Sequence, residues 1–324
     1  MLNNIYKDKY VIITGVAGFI GSHLAERLLE LGTKVIGIDN YSLGSKKNIS
    51  HLLAKENFEF FKLDLITECD EFLKCLDSKE ILEVWHLAAN SDISSGVTNP
   101  EIDLRNTFLT THNILKICNK KNIKNFIFAS SSAIYGDKGD LLISEDIGPL
   151  FPISNYGAMK LASEAIISAA VESFLEKSWI FRFPNVVGSR ATHGIIYDFL
   201  NKLKLNPSVL NVLGDGFQCK QYLHVSELIN AMLFARSKAL NNLNYFNLGV
   251  SDSSTKVKEI ANLLLKCLNS DAKIIYGQEK KGWVGDVPKF SFSTKKINDL
   301  GWFPCLTSNQ AVEKAIKEII CEIG

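Results

Sequence analysis

Residues 10–21 read YVIITGVAGFIG, and the fold is decided in them. Tyr10 to Thr14 is a short apolar, β-branched run, the mark of a buried strand. It leads straight into Gly15-Val16-Ala17-Gly18-Phe19-Ile20-Gly21, with glycines spaced GxxGxxG. Phe19, Ile20, Leu24, Leu28 and Leu31 then recur at helical spacing, and the pattern closes on Gly32. Strand, turn and helix form one βα unit. Glycine in such a turn lets backbone N–H groups approach a pyrophosphate at the positive end of the helix. A second strand, Lys34 to Asp39, ends on a carboxylate about twenty positions beyond the turn. There an acid hydrogen-bonds the ribose hydroxyls of NAD and repels the extra phosphate of NADP. No arginine stands in that turn, so NAD is the expected cofactor.

Outward from this unit the same rhythm continues. Strands are predicted at Phe58 to Leu63, Ile81 to Leu87, Asn125 to Ser130 and Trp179 to Phe183, with helices at Asn106 to Asn119 and Tyr156 to Phe174. Apolar strands alternating with helices imply a parallel sheet covered on both faces. Past Asn185 the pattern changes: helices are expected at Ile195 to Lys204, Val225 to Ser237, Val257 to Leu268 and Asn309 to Ile323. Pro207 to Gly216 reads as turn-rich, and a loop is expected between the last two helices. The predicted fold is α/β, a Rossmann-type doubly wound parallel sheet with a smaller C-terminal substrate-binding lobe. Residues 1–184 form the NAD-binding domain, to which 213–250 return; 185–212 and 251–324 form the lobe.

Composition narrows the partners. The 324 residues are 46% hydrophobic and 22% charged, enough for a sizeable core, and a formal net charge of +1 points to neither nucleic acid nor an anionic membrane. The apolar run near the amino terminus ends at a glycine and not in a signal-type region, and no run of 18 apolar residues occurs, so a cytoplasmic protein is expected. Seven scattered cysteines without CxxC suit reduced thiols. Six histidines without HxxxH spacing give no metal site, and His86, ending an apolar strand, reads as a core residue.

The chemistry lies in Tyr156-Gly157-Ala158-Met159-Lys160. Four residues apart on a helix, the phenol and the ammonium share one face. A nearby positive charge favours the phenolate, and a phenol with a lowered pKa can move protons at neutral pH. Oxidising a sugar carbinol requires such a base for the hydroxyl proton while hydride leaves carbon.

Several further motifs, in order, carry a resemblance: Asp64-Leu65, His86-Leu87-Ala88-Ala89, Ser130-Ser131-Ser132-Ala133-Ile134-Tyr135-Gly136, Arg182-Phe183-Pro184-Asn185 and Gly214-Asp215-Gly216. With the glycine turn and the Tyr156/Lys160 pair, they make the chain resemble the extended short-chain dehydrogenase/reductases. Within these it is similar to the NAD-dependent nucleotide-sugar epimerase/dehydratase group, from about Tyr10 to the end. The resemblance implies that Asp64 and Leu65 flank the adenine, that Leu87, Ala88, Ala89 and Asn106 line the cofactor, and that Lys160 holds the nicotinamide ribose. Asn40, Ser130 and Pro184 are expected beside the cofactor as well. Tyr156 is implied as the acid/base, sharing the sugar hydroxyl with Ser131.

Two absences narrow the reaction. Related 4,6-dehydratases carry an Asp-Glu pair after the position of Ser131, and related decarboxylases a Glu at that of Ala133; this chain has Ser132-Ala133. What remains is hydride removal and return, so C4 epimerisation of a nucleotide-diphosphate hexose is favoured, UDP-glucose/UDP-galactose or a related UDP-sugar. A 4-keto nucleotide-sugar reductase is the alternative. On the substrate side Ser132, Asn185 and Asp286 are expected contacts. The two arginines that grip the diphosphate in UDP-galactose 4-epimerases are replaced by Lys220 and Trp283, with Arg190, Lys280 or Lys281 left to complete the anion site. Trp283 either stacks on base or sugar or packs. Phe290 stands where relatives limit bulk at sugar C2, and Ser91 where they carry a lysine. The helices holding Asn106 and Tyr156 match those that pair relatives into homodimers.

Overall fold

The computed structural model of the protein describes residues 2–250, 253–279, 287 and 290–323. Seven strands form the central sheet: β1 Tyr10–Thr14, β2 Lys34–Asp39, β3 Phe58–Lys62, β4 Ile81–His86, β5 Asn125–Ser131, β6 Lys177–Phe183 and β7 Leu243–Asn247. Their order is β3-β2-β1-β4-β5-β6-β7, and every neighbouring pair is parallel. This is the Rossmann-type doubly wound sheet that the sequence predicts. Side chains alternate between its faces with period two: Val11, Ile13, Ile127 and Ala129 enter one core, Ile12, Phe126 and Phe128 the other. The first core is covered by α1 (Phe19–Glu30), through Leu24 and Leu28. The second is covered by α2 (Thr110–Lys120) and α3 (Asn155–Ser173), through Ile114, Ile117, Ile167 and Ala170. Chain connections leave β1 and β4 in opposite directions, which opens a crevice above their carboxyl ends.

A third core lies beyond the sheet. It gathers α4 (Ile195–Leu205), α6 (Val257–Leu268) and α7 (Ser308–Ile323) around Leu210, Val212 and Tyr222. Helix α5 (Val225–Lys238) packs back on the first core through Leu228 and Leu233. We propose the lobe division on this basis, with adjustments: Ile297 and Trp302 join the first core, Tyr222 joins the third, and Phe290 and Phe292 pack with Ile134 and Tyr135.

Three local readings differ. The turn-rich stretch contains a strand, Val209–Val212, paired in parallel with Lys273–Tyr276 inside the segment expected to be a loop. Leu210 and Val212 do alternate inward, but the run is short and its partner is distant in sequence. That segment also holds a short strand, Ser291–Phe292, and a helix, Lys295–Asp299. The helix expected from Asn106 starts earlier: Asn99 caps a short helix Pro100–Asp103, with proline at the first turn, and a π-helical turn Leu104–Leu109 joins it to α2.

His86 shows how β4 is held. Its Nδ1 lies 2.7 Å from Thr14 Oγ1 and its Nε2 3.0 Å from Thr111 Oγ1, with the ring fully buried. Thr111 donates its one hydroxyl proton to the Thr107 carbonyl at 2.8 Å, so it accepts from Nε2–H; Nδ1 then accepts from Thr14. Thr14 in turn accepts the Ala88 N–H at 3.1 Å, which fixes the segment after β4. The ring is neutral, and burial pushes its pKa well below the ordinary value, helped by the Lys160 charge. With the folded pKa below the unfolded one, stability is full above about pH 6.5 and falls as the unfolded chain takes up a proton that the native ring refuses. Urea midpoints compared between about pH 7.5 and 5.5 will show a loss of up to about 1.4 kcal/mol per pH unit from this group. His86→Asn will be less stable at neutral pH and its acid slope flatter. Equal slopes in the two proteins would refute the account.

Candidate active site

A cavity of about 830 Å³ runs over the carboxyl ends of β1, β4 and β5 and on to the second lobe. At one end stands the glycine turn. Gly15 has φ +70°, and a Cβ on it would lie 2.8 Å from the Ala88 nitrogen; a Cβ on Gly21 would lie 2.1 Å from the Gly15 carbonyl oxygen. Both positions therefore exclude a side chain. Gly18 begins α1 without a side-chain cap, so the helix presents bare backbone to the cavity. Asp39 is buried, and its carboxylate accepts from the backbone N–H of Ala17 at 2.9 Å and of Tyr41 at 2.7 Å. Burial raises its pKa while these two donors hold it back. The cradle, the helix end and the fixed carboxylate fit a dinucleotide pyrophosphate and ribose.

Most of the expected cofactor positions line this one cavity: Gly15, Gly18, Phe19, Ile20, Gly21, Asp39, Asn40, Asp64, Leu65, Leu87, Ala88, Ala89, Asn106, Ser130, Tyr156, Lys160 and Pro184. Ala17 does not. It is fully buried under the turn, and its N–H serves Asp39. Among substrate candidates Ser131, Ser132, Asn185 and Lys220 line the wall.

Arg190 is a correction. Its guanidinium bonds Glu26 of α1 at 2.7 Å, its backbone N–H bonds Glu322 of α7, and it is absent from the described lining. Its Nη2 is thus committed to Glu26, while Nη1 is buried without a hydrogen-bond partner among the described residues. Trp283, Asp286, Lys280 and Lys281 lie outside the described residues.

Tyr156, Lys160 and Ser131 meet at the β5 end. Ser154 caps α3 by accepting the Gly157 N–H, which starts the helix just before Tyr156. One turn on, Lys160 is buried; its Nζ donates to the Ala129 carbonyl at 2.6 Å and lies 5.7 Å from the Tyr156 ring centre. Burial pushes the phenol up to about 12, against a hydrogen bond from Ser131 and with a further push from the Asp103 charge. Burial likewise drives the Lys160 ammonium down to about 7, with Glu164 opposing. In the protein alone, then, desolvation outweighs the lysine effect expected from sequence.

Behind these groups lies a buried polar network. Arg182 donates from Nε to Glu164 Oε1 at 3.1 Å and from Nη2 to Oε2 at 2.7 Å, and Ser130 donates to Oε1 at 2.5 Å. Arg182 Nη1 reaches the Tyr135 hydroxyl at 2.8 Å, and Tyr135 donates to Asn247 of β7 at 2.7 Å. The turn carrying Ser131, helix α3 and strands β5, β6 and β7 are thus tied at one point.

Sequence reasoning missed several lining residues: Ser42, Leu43 and Gly44 beside Asp39, and Asp92 and Ser94 after β4. Gly44 carried a usable signal, since a Cβ there would lie 2.8 Å from Asp39 Oδ1. The others belong to no motif.

Fold and site together define a Rossmann-type, dinucleotide-binding protein whose cavity brings Ser131, Tyr156 and Lys160 together. The chain belongs to the NAD dependent epimerase/dehydratase family, whose profile matches residues 11–249, and NAD is its cofactor. A Methanocaldococcus jannaschii relative is 30% identical over 312 residues, covering 94% of this chain and 97% of that one. A UDP-galactose 4-epimerase crystal structure is similar with a TM-score of 0.85 and 33% identity, over 97% of this chain and all of that one (100%). The UDP-glucuronic acid 4-epimerase of Bacillus cereus, in complex with UDP-glucuronic acid and NAD, has a TM-score of 0.85 at 25% identity, over 97% of this chain and 100% of its own.

The network yields a stability prediction. Glu164→Gln leaves the buried Arg182 charge without its carboxylate and will lower unfolding free energy by about 3–5 kcal/mol, read from urea denaturation. Replacing both, Glu164→Leu with Arg182→Met, will be milder than the single change because no lone charge remains. A single variant within 1 kcal/mol (~the effect of a surface pair) would show that the pair is not desolvated.

Proposed function

We propose that this protein is an NAD-dependent nucleotide-sugar 4-epimerase acting on a UDP-hexose through a 4-keto intermediate. The observation that carries the reading is the turn at Ser131. Ser131, Tyr156 and Lys160 line the cavity together, while the two positions that follow Ser131 offer a hydroxyl and a methyl. Carboxylates do line the cavity elsewhere, but Asp92 caps the helix Ile93–Thr98 and Asp198 pairs with Lys202. Neither belongs to the turn, so elimination or decarboxylation lacks its acid/base there. The family and its UDP-sugar 4-epimerase neighbours support the same choice.

NAD, when bound, supplies a hydride acceptor and then donor at the same carbon. Ser131 and Tyr156 hold the C4 hydroxyl from one side. Tyr156 takes its proton on oxidation and gives it back on reduction, and Lys160, anchored to Ala129, keeps the ribose and the phenol in register. Inversion requires only that the keto sugar turn over between the two transfers. Lys220 provides a point charge for the diphosphate.

Protein loaded with NAD will interconvert UDP-glucose and UDP-galactose, or another UDP-hexose from a panel resolved by NMR, without accumulating NADH. Stoichiometric consumption of NADH by a 4-keto sugar would instead make it a reductase. Tyr156→Phe will lower kcat by about 10²–10⁴-fold while NAD affinity stays within a few-fold. Unimpaired turnover would remove Tyr156 from the reaction.

A homodimer is part of the proposal. It rests on the neighbouring helices α2 and α3, with exposed Val97 and Leu104 beside them. Sedimentation of the NAD-loaded protein will give twice the chain mass; a monomer at micromolar concentration would dismiss it.

A further inference from the structure

The segment from Gly188 to Gly194 runs along the cavity wall as a strap between the strand Asn185–Val187 and α4. Both ends are glycines with positive φ, +153° at Gly188 and +108° at Gly194. A Cβ on Gly194 would meet nothing within 4 Å, so backbone conformation and not space selects glycine there. Arg190, between them, has φ +63°, which is uncommon for a residue with a side chain, so the strap is seated against a backbone preference. Its seat has three sides. Glu318 of α7 accepts the Ser189 N–H at 3.2 Å, and Glu322 accepts that of Arg190 at 2.9 Å. From α1, His23 Nε2 lies 3.0 Å from the Ser189 carbonyl oxygen, and Glu26 holds the Arg190 guanidinium at 2.7 Å. The third side is Asn48, buried in the short helix Lys46–Ile49. Its Nδ2 donates to the Ala17 carbonyl at 3.0 Å and to the Arg190 carbonyl at 3.3 Å. Ala17 lies within the glycine turn, and its N–H is the one that serves Asp39. One buried amide thus joins the backbone of the cofactor turn to the backbone of a strap whose residues Ala191 to Gly194 line the cavity.

We propose that Asn48 is a positioning residue that makes the strap respond to the dinucleotide. A pyrophosphate held on the glycine turn fixes the Ala17 peptide, Asn48 carries that constraint to Arg190, and the wall from Ala191 to Gly194 is held in one conformation. The link concerns NAD and this chain alone; the place of the substrate against that wall rests on the epimerase reading. The amide suits the task because both of its protons are used at once. If either carbonyl moves away, a buried donor is left unpaired, which is unfavourable. Glu26, Glu318 and Glu322 fasten the strap to helices and set how firmly it is seated. Among the described residues, Asn48 is the one whose side chain bonds both turn and strap.

The test reads the strap directly, by hydrogen–deuterium exchange and mass spectrometry on peptides that span it, in protein stripped of NAD and then reloaded. In the unsubstituted protein NAD will slow exchange at the Ser189 and Arg190 amides by about fivefold or more, the lower end of ordinary coupling between two sites. In Asn48→Ala the glycine turn will still be protected by NAD, while the strap will exchange at the same rate with and without it. Glu26→Gln keeps the amide, so its strap will exchange faster in both states and will still be slowed by NAD. If Asn48→Ala does not fold, Asn48→Ser gives the readout, because a single hydroxyl proton cannot bond both carbonyls. A strap that NAD slows as much in the Asn48 variant as in the unsubstituted protein would make the residue merely structural and overturn the proposal. So would a strap indifferent to NAD in the unsubstituted protein. A strap that responds through Asn48 in a protein that binds no UDP would support the link while sinking the UDP-hexose reading.

Discussion

The site depends on one buried ion pair, Arg182 with Glu164. Tyr156, Lys160 and Glu164 follow one another at four-residue steps along α3, so they occupy one stripe of the helix. Fixing Glu164 to a strand of the sheet therefore fixes the rotation of the helix, and with it the direction in which the phenol and the ammonium point. The same guanidinium holds Tyr135, four residues past Ser131, and through it Asn247 of β7. Arginine is the side chain for this task, because its planar fork can bond a carboxylate with two donors and still spend a third on the hydroxyl. A hydrophobic replacement could match the stability of the pair, yet it would not set direction in this way.

Desolvation is the second constraint, and it moves Tyr156 and Lys160 in opposite directions. The phenol rises to about 12 and the ammonium falls to about 7, each toward its neutral form. A phenol so displaced does little acid–base chemistry at neutral pH by itself. Charge that enters with the loaded site reverses the balance: a positive group near the phenol favours its ionisation, and a buried setting makes that influence larger than it would be in water. Under the proposed reading, the proton-transfer machinery is quiet until loaded. The same burial that opposes the phenolate in the empty site strengthens the field that produces it.

Much of this was legible because it is local. The βα unit, Asp39, the Tyr156/Lys160 spacing and the serine turn each occupy a few consecutive residues, and their geometry follows from glycine conformations, helix period and strand ends. What was not legible depends on partners remote in the chain. Val209–Val212 becomes a strand only because Lys273–Tyr276 lies beside it. The π-helical turn follows from packing in the segment before α2, where no residue type announces an extra residue per turn. Ala17 sits in the glycine motif and still faces inward, since its N–H is needed by the carboxylate that the motif serves.

Arg190 shows how the same limit bears on substrate recognition. A cation in a loop beside a strand end is a natural guess for a phosphate ligand, and its charge alone supports it. The neighbouring acids decide otherwise. Glu26 takes the guanidinium, Glu322 the backbone N–H, and Glu318 the N–H of Ser189 while also meeting His224. The segment between Gly188 and Gly194 is thereby fastened to α1 on the cofactor side and to α7 on the lobe side. Its arginine acts as a rivet between the two, and the cavity wall it supports is formed by Ala191 to Gly194. Among the described residues, the cationic side chains lining the cavity are then Lys160, committed to Ala129, and Lys220. Under the proposed reading, a compact ammonium attracts a diphosphate without dictating its orientation, unlike an arginine fork.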